Sequence, residues 1–96
     1  MVNISKLNKE FESRVRLGIM SVLMVNEWVD FTEMKNLVEI TDGNMASHST
    51  ALEKSKYIEV KKEFVGKKPK TSYRATTAGK DAFKDHLAAL EKLLGR

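Results

Sequence analysis

The sequence has 96 residues, a formal net charge of +4 and no cysteine. A chain of this length accommodates one modest core, so we expect a single domain over residues 1–96. Without cysteine, neither disulfides nor thiolate metal sites can stabilise the fold, and packing must do so, within the chain or shared with a second copy. The N-terminal stretch lacks a signal-peptide core, and no apolar run reaches the roughly 20 residues that a membrane-spanning helix needs. We therefore expect a cytoplasmic protein.

The positive charge is concentrated in one segment of the chain. Residues 54–80 contain nine lysines or arginines and two acids, a local charge of +7, whereas the remaining residues sum to −3. A local positive field of this kind favours a polyanionic partner. Nucleic acid and an anionic membrane surface both fit this description.

The first third of the chain predicts a helix and a short strand. Apolar residues between Phe11 and Leu23 recur at helical spacing. Gly18 weakens the helix locally, which indicates that another element approaches closely at that point. The segment WVDF (28–31) is too short for a helix and predicts an extended piece of chain.

Two further helices follow, separated by a turn near residues 40–42. The first covers 31–40 and has Asp30 as its expected N-cap. The second covers about 43–55, and Asp42 is its expected cap. One face of this third helix is apolar. The opposite face is small and polar, and it carries Gly43, Ser47, Thr50 and Lys54, flanked by Asn44 and Ala51.

The last part of the chain predicts a hairpin and a long helix. From Tyr57 the apolar period changes to two, and a glycine and a proline within residues 65–70 indicate a turn, so we expect a hairpin over about 58–75. On this strand pattern Phe64 and Tyr73 are interpreted as core. Thr76 or Thr77 is expected to cap a helix over about 77–94. This helix repeats apolar residues with the spacing of a coiled-coil seam, at Phe83, Leu87, Leu90 and Leu94.

This α+β arrangement of two short helices and a basic hairpin meets the physical requirements for contacting duplex DNA. The third helix fits a major groove about 12 Å wide, and the hairpin lysines would lie on phosphates. The candidates for reading base edges or approaching the groove closely are Asn44, Ser47, His48, Thr50 and Ala51. The candidates for phosphate contacts are Lys54, Lys67, Lys68, Lys70 and Arg74.

Four stretches resemble a known family: SRVRLGIM (13–20), TDGNMASHSTALEKSKYIEV (41–60), FVGKKPKTSYRAT (64–76) and TTAGK (76–80). Together they are similar to the winged helix-turn-helix transcriptional regulators of the multiple-antibiotic-resistance (MarR) type, especially a compact subgroup. The resemblance implies a recognition helix at about 43–55, a wing tip at 66–70 and a homodimeric repressor. Its terminal helices would pair through the 83, 87, 90, 94 seam and place the recognition helices roughly 34 Å apart on a pseudo-palindromic operator.

The chain departs from the family pattern at several positions. The family often has proline at the position of Arg14, leucine at Ser49, and basic residues near Thr50 and Ala51. It also has a glycine at the position of Lys56, where a left-handed residue other than glycine costs on the order of 1 kcal/mol. The recognition helix is thus less basic than the resemblance implies, and more of the affinity is expected from the wing.

Several single features allow more than one interpretation. His48 could contact DNA, bind a metal or lie at the edge of the core, and we favour the DNA contact because the chain offers one other histidine and no cysteine. Asp81 and Asp85 alternate with lysines, which is typical of a solvated face rather than of acid–base catalysis. The hairpin lysines could merely protect a strand edge, but their number favours a polyanion. Four methionines could line a ligand pocket or simply fill the core: Met20, Met24, Met34 and Met45.

No phosphate-binding loop, zinc spacing or catalytic triad is present in the sequence, so we expect no enzyme, no metal and no cofactor. No feature marks a small-molecule effector. Two alternatives to duplex DNA binding remain. A winged-helix module could bind protein instead, since a fold does not decide function. Single-stranded RNA binding is disfavoured by the few aromatic residues in the hairpin.

Overall fold

The computed structural model describes residues 4–95. Its elements are a 3₁₀ turn (Lys9–Phe11), α1 (Arg14–Val25), β1 (Val29–Asp30), α2 (Phe31–Val38), α3 (Asp42–Lys54), β2 (Ile58–Val65), β3 (Lys68–Ala75) and α4 (Thr77–Leu93). The predicted α+β order is confirmed. Residues 1–3 and 96 of the expected domain lie outside the described residues. None of the helices in the described part is both long and apolar enough to cross a membrane.

The three strands form an antiparallel sheet in the order β1-β3-β2. Side chains of paired residues point to the same face of a sheet. Val29 pairs with Tyr73, and Ile58 pairs with Ala75. All four are buried, so this face packs on the helices. The opposite face carries Glu59, Lys61 and Glu63 of β2, as the alternating pattern predicts.

The β2–β3 hairpin closes with a two-residue turn at Gly66 and Lys67. Gly66 has a φ of 66°, a conformation that glycine adopts at the first position of a tight hairpin turn. The predicted turn was longer, over 65–70, because a proline disfavours strand. Pro69 nevertheless lies in β3, since β1 pairs with β3 only at Ser72 and Tyr73. At Pro69 the strand is an edge, where no donor is needed on that side.

Phe11 lies at the centre of the core, although not in the first helix as its spacing suggests. The Ser13 hydroxyl accepts from the Arg16 amide and begins α1 at residue 14, which leaves Phe11 in the preceding 3₁₀ turn. Its ring centroid is 5.3 Å from those of Tyr57 and Phe83. Phe11 is fully buried, so this turn is part of the core.

Helix packing explains Gly18 and the methionines. A Cβ at Gly18 would lie 2.9 Å from a methyl group of Val38, so α2 approaches α1 closely at this point, as predicted. Met20, Met34 and Met45 have no exposed surface. They therefore act as packing residues between α1, α2 and α3.

Side-chain caps fix where α2 and α3 begin. The Asp30 carboxylate accepts from the Glu33 amide at 2.8 Å, and the predicted cap is confirmed. The expected cap of α3 was wrong by one residue: the Thr41 hydroxyl accepts from the Asn44 amide at 3.1 Å. Asp42 is instead the first residue of the helix and forms an ion pair with Lys35 of α2 at 2.7 Å.

A shared hydroxyl joins the end of α3 to the start of α4. The Thr76 hydroxyl donates to the carbonyl of Lys56 at 2.8 Å and accepts from the amide of Gly79 at 2.9 Å. A Cβ at Gly79 would lie 2.0 Å from the carbonyl oxygen of Tyr57, so only glycine fits there. The TTAGK motif therefore has a structural role: it attaches the start of α4 to the segment that follows α3, and Thr76 caps α4.

The predicted seam on α4 is divided between the core and the surface. Phe83 is 3% exposed and packs against Phe11 in the chain's own core, so little of its side chain is available to a second copy. The exposed fraction is 40% at Leu87 and 68% at Leu94, and Leu90 is half-buried. These three leucines continue the Phe83 stripe beyond the end of the core.

Candidate nucleic-acid interface

The outward face of α3 has no packing partner among the described elements. Met45, Ser49 and Leu52 are buried and attach the helix to the core. The opposite side carries small polar residues and one lysine, all exposed: Gly43, Asn44, Ser47, Thr50 and Lys54. Ala51 is half-buried at the edge of this face. Because the side chains are short, a groove could approach the helix backbone closely.

The hairpin lies beside this face of α3 and extends away from the core. Val60 and Lys62 of β2 line a cleft of about 200 Å³ together with Ala46 and Thr50 of α3. Beyond this cleft every residue from 61 to 70 is exposed, including Lys67, Lys68 and Lys70. Lys62 is the hairpin lysine that lines the cleft beside α3. Lys68 and Lys70 pair with Val65 and Glu63, so they lie on the opposite face of the hairpin.

His48 is on the flank of α3 that faces α1. Its Nδ1 accepts from the Nε–H of Arg16 at 3.0 Å, and Arg16 also forms an ion pair with Glu10 at 2.8 Å. Burial, and secondarily the charge of Arg16, lowers the pKa of His48. The neutral imidazole thus holds α3 against α1, and His48 is not grouped with the outward-facing residues.

Arg74 is a half-buried residue near the base of the hairpin, and other side chains of the protein engage it. It forms an ion pair with Glu59 at 3.1 Å and lies 4.8 Å from the ring centroid of Trp28. Lys61 also lies over this ring, at 4.3 Å. At about 3.4 Å per residue, Arg74 is roughly 20 Å from Lys68 along the strand. It is therefore separate from the tip lysines.

These features correspond to a known protein family. A family model described as a winged helix DNA-binding domain matches residues 15–94. The chain belongs to this winged helix family. The protein is accordingly a DNA-binding protein rather than an enzyme. In the terms used for the winged helix fold, we call α3 the recognition helix and the β2–β3 hairpin the wing.

Individual proteins are similar to the chain over most of its length. The chain is 33% identical over 85 residues to the uncharacterized protein MJ0432 of Methanocaldococcus jannaschii, covering 88% of this chain and 92% of the relative. A transcriptional regulator homologue from Pyrococcus horikoshii OT3 superposes with a TM-score of 0.77 at 25% identity, over 94% of both chains. NadR, in complex with 4-hydroxyphenylacetate, has a TM-score of 0.74 at 18% identity. This match covers 94% of the present chain and 63% of the NadR chain, and it reflects the shared fold.

The structure also reveals surface features of this winged helix protein that sequence patterns did not identify. Trp28 with its two cations is one of them. Trp28 directly precedes β1, and its contact with the far face of the wing leaves no periodic signal in the sequence. Phe64 is another: it was interpreted as core, but its side chain is 76% exposed, whereas Tyr73 is buried as expected. The alternation correctly gave Phe64 the core-side face of β2, but the strand extends beyond the core.

Proposed function

We propose that this protein is a transcriptional regulator that binds duplex DNA sequence-specifically and represses transcription by occupying promoter DNA as a homodimer. The recognition helix would lie in the major groove, with base contacts from Asn44, Ser47, Thr50 and Ala51. The phosphate contacts would come from Lys54, Lys67, Lys68 and Lys70. We leave Arg74 and His48 out of the direct contacts, because both are engaged by other side chains.

The observation that carries this proposal is the placement of two unlike surfaces side by side. A helix face of short polar side chains can enter a groove, and the exposed lysines of the adjacent hairpin supply charge without reading sequence. The winged helix family match supports DNA as the partner. The Pyrococcus horikoshii protein, named as a transcriptional regulator homologue, supports a regulatory role.

The dimeric state is supported by the exposed leucines of α4. Leu87, Leu90 and Leu94 form an apolar stripe that the protomer leaves partly uncovered. Pairing of two such stripes about a twofold axis would bury them and set the separation of the two recognition helices. An operator with two half-sites follows from this symmetry.

The salt dependence of DNA binding tests the proposal. Binding to a mixed pool of fluorescein-labelled duplexes is measured by fluorescence anisotropy at several salt concentrations. We expect affinity to fall by about 0.9 log units per contacted phosphate for each log unit of salt. A triple Lys67→Ala, Lys68→Ala, Lys70→Ala variant should then reduce this slope by about 2–3 log units.

A matched variant removes the same charge elsewhere: Lys80→Ala, Lys84→Ala and Lys92→Ala on α4. Its slope should remain close to that of the unmodified protein, because these lysines are exposed on a helix outside the interface. If both triple variants lower the slope equally, the wing carries no special role. If the unmodified protein binds no duplex even at low salt, the regulator proposal is wrong and a protein partner takes precedence.

A further inference from the structure

The wing carries an exposed apolar patch formed by Phe64 and its cross-strand partner Pro69. The Phe64 side chain is 76% exposed, and Pro69 is exposed as well. Burying a phenylalanine side chain contributes roughly 1.5–3 kcal/mol to folding. The wing obtains little of this at Phe64, while an exposed apolar strand end invites association. A partner that covers the ring would explain this placement.

The Phe64 ring points to the same side as the recognition helix. Side chains alternate along a strand, so Phe64 shares its face of β2 with Val60 and Lys62. Those two residues line the cleft next to Ala46 and Thr50 of the recognition helix. Phe64 lies two residues beyond Lys62, about 7 Å further along the strand. A duplex placed against the recognition helix would therefore extend in front of the Phe64 ring.

The charges around Phe64 favour a polyanion as the partner. Residues 61–70 contain five lysines and one glutamate. A second copy of the wing would bring like charges together, whereas the phosphates of DNA would be attracted. Apolar side chains flanked by cations occur where proteins enter the minor groove, and there they separate neighbouring bases.

We propose that Phe64 inserts its ring as an apolar wedge into the minor groove that flanks the major groove occupied by the recognition helix. This inference rests on the proposed DNA binding and adds a determinant of sequence preference to it. Pyrimidine–purine steps such as TA unstack most easily, and an A·T minor groove lacks the guanine amino group. Phe64 would therefore favour A·T-rich sequence next to the operator half-site.

Two labelled duplexes of about 30 base pairs, roughly three helical turns, test this wedge by fluorescence anisotropy. One alternates A and T, and the other alternates G and C. We expect the unmodified protein to bind the A·T duplex about tenfold more tightly, within the range that one base stack contributes. The Phe64→Ala variant should lose this preference, and Phe64→Leu should retain most of it.

Two further measurements distinguish the insertion of Phe64 from general electrostatic binding to DNA: the salt dependence of affinity and a control substitution on the other face of the wing. The salt slope should be the same for all Phe64 variants, because no lysine is removed. Val65→Ala removes a side chain that is 60% exposed on the opposite face of the wing, and it should leave the preference intact. Thermal unfolding of each variant checks that the fold is unchanged.

Each contrary result has a distinct meaning. If the unmodified protein and Phe64→Ala bind both duplexes equally with a steep salt slope, the proposed insertion of Phe64 is wrong, whereas the proposed binding of duplex DNA is supported. If no duplex is bound at low salt by any variant, the proposed function fails too. If Phe64→Ala leaves DNA binding unchanged but weakens binding to phosphatidylserine vesicles, the ring belongs to a membrane contact, which also overturns the wedge.

Discussion

At the scale of single residues, two positions other than glycine hold left-handed backbone where a helix ends. Glu39 has a φ of 58° after α2, and Lys56 has a φ of 64° after the recognition helix. At Lys56 the ending is a Schellman motif. The Lys56 amide donates to the Glu53 carbonyl at 2.9 Å, and the Tyr57 amide donates to the Leu52 carbonyl at 3.0 Å. The hydrogen bonds are satisfied, but the conformation is costly for a residue with a Cβ.

Replacing Lys56 with glycine should therefore stabilise the protein. The left-handed conformation costs residues other than glycine roughly 1 kcal/mol, and relief of this strain should raise the midpoint of thermal unfolding by about 4–8 °C. Lys56→Ala, which removes the charge and keeps the Cβ, is the matched control and should leave the midpoint nearly unchanged. Circular dichroism measures both. A Lys56→Gly midpoint no higher than that of Lys56→Ala would contradict the prediction.

At the scale of elements, the N-terminal segment is attached to α4 and to the end of α3 by a neutral histidine and an amide. The backbone amide of Asn8 donates to His86 Nδ1 at 2.9 Å, and the Asn8 side chain donates to the Tyr57 hydroxyl at 3.0 Å. Burial lowers the pKa of His86, and the opposing effect of Glu12 is smaller. Protonation of Nδ1 would remove the acceptor and release this attachment.

The stability of the fold should consequently decrease at mildly acidic pH. His86 and His48 both have a lowered pKa in the folded state. Below the unfolded value of about 6.5 the unfolded chain binds protons that the folded chain does not. The stability that these two histidines contribute in their neutral form is fully present above this pH, and it is lost as the pH falls through their pKa values in the folded state. The free energy of unfolding, measured with urea at several values between about pH 5 and pH 8, should therefore decrease as the pH is lowered.

Two substitutions test whether His86 and His48 cause the loss of stability at acidic pH. His86→Asn keeps a side-chain acceptor near the position of Nδ1 but does not titrate, and it should flatten part of the pH dependence. His48→Gln should flatten another part, and the double variant most of the change near pH 6. An unaltered profile in the double variant would mean that other groups control the acid response.

The elements followed from periodicity, whereas contacts between elements did not. Apolar spacing and the Asp30 cap predicted each helix and strand to within a few residues, because these signals are local. Phe11 continued the helical spacing of α1, yet the Ser13 cap separated it into its own turn. Phe83 fitted a coiled-coil seam but is buried against Phe11. Spacing shows that a residue belongs to an apolar face. Only the tertiary structure decides whether that face packs in the chain's own core or remains exposed to a partner.

The placement of the candidate interface residues in the structure was predictable to a similar degree. The outward face of the recognition helix followed from its small polar residues and the wing tip from its lysines. The engagement of His48 by Arg16 and of Arg74 by Glu59 and Trp28 depends on long-range contacts. Phe64 was misassigned because alternation gives the face of a strand but not where the core ends.

At the scale of the whole molecule, the shape is elongated, with principal extents of 56 × 25 × 21 Å for the described residues. The last turns of α4 carry apolar side chains past the point where the core can cover them. The exposed fraction along the Phe83 stripe rises from 3% at Phe83 to 68% at Leu94. An apolar stripe that begins in the core and continues into solvent favours pairing with a second copy through the same helix.

Placing charges on this stripe should separate the proposed dimer. In the double variant Leu87→Glu, Leu94→Glu, pairing would bury unpaired carboxylates, whose transfer out of water is strongly unfavourable. Sedimentation or light scattering should then give the mass of one chain instead of two. The protomer should stay folded, because both leucines are exposed within it. Leu37→Glu, which replaces a leucine on α2 that is 57% exposed, is the control and should remain dimeric.

The same double variant should change DNA binding in a specific way. A monomer engages one half-site, so the advantage of a two-half-site duplex over a single half-site should disappear, while the salt slope per bound chain is retained. This result would place the dimer contact on α4 and keep it distinct from the DNA contact. If the unmodified protein sediments as one chain at every concentration and still prefers two half-sites, the second copy is recruited on the DNA rather than through the free stripe of α4.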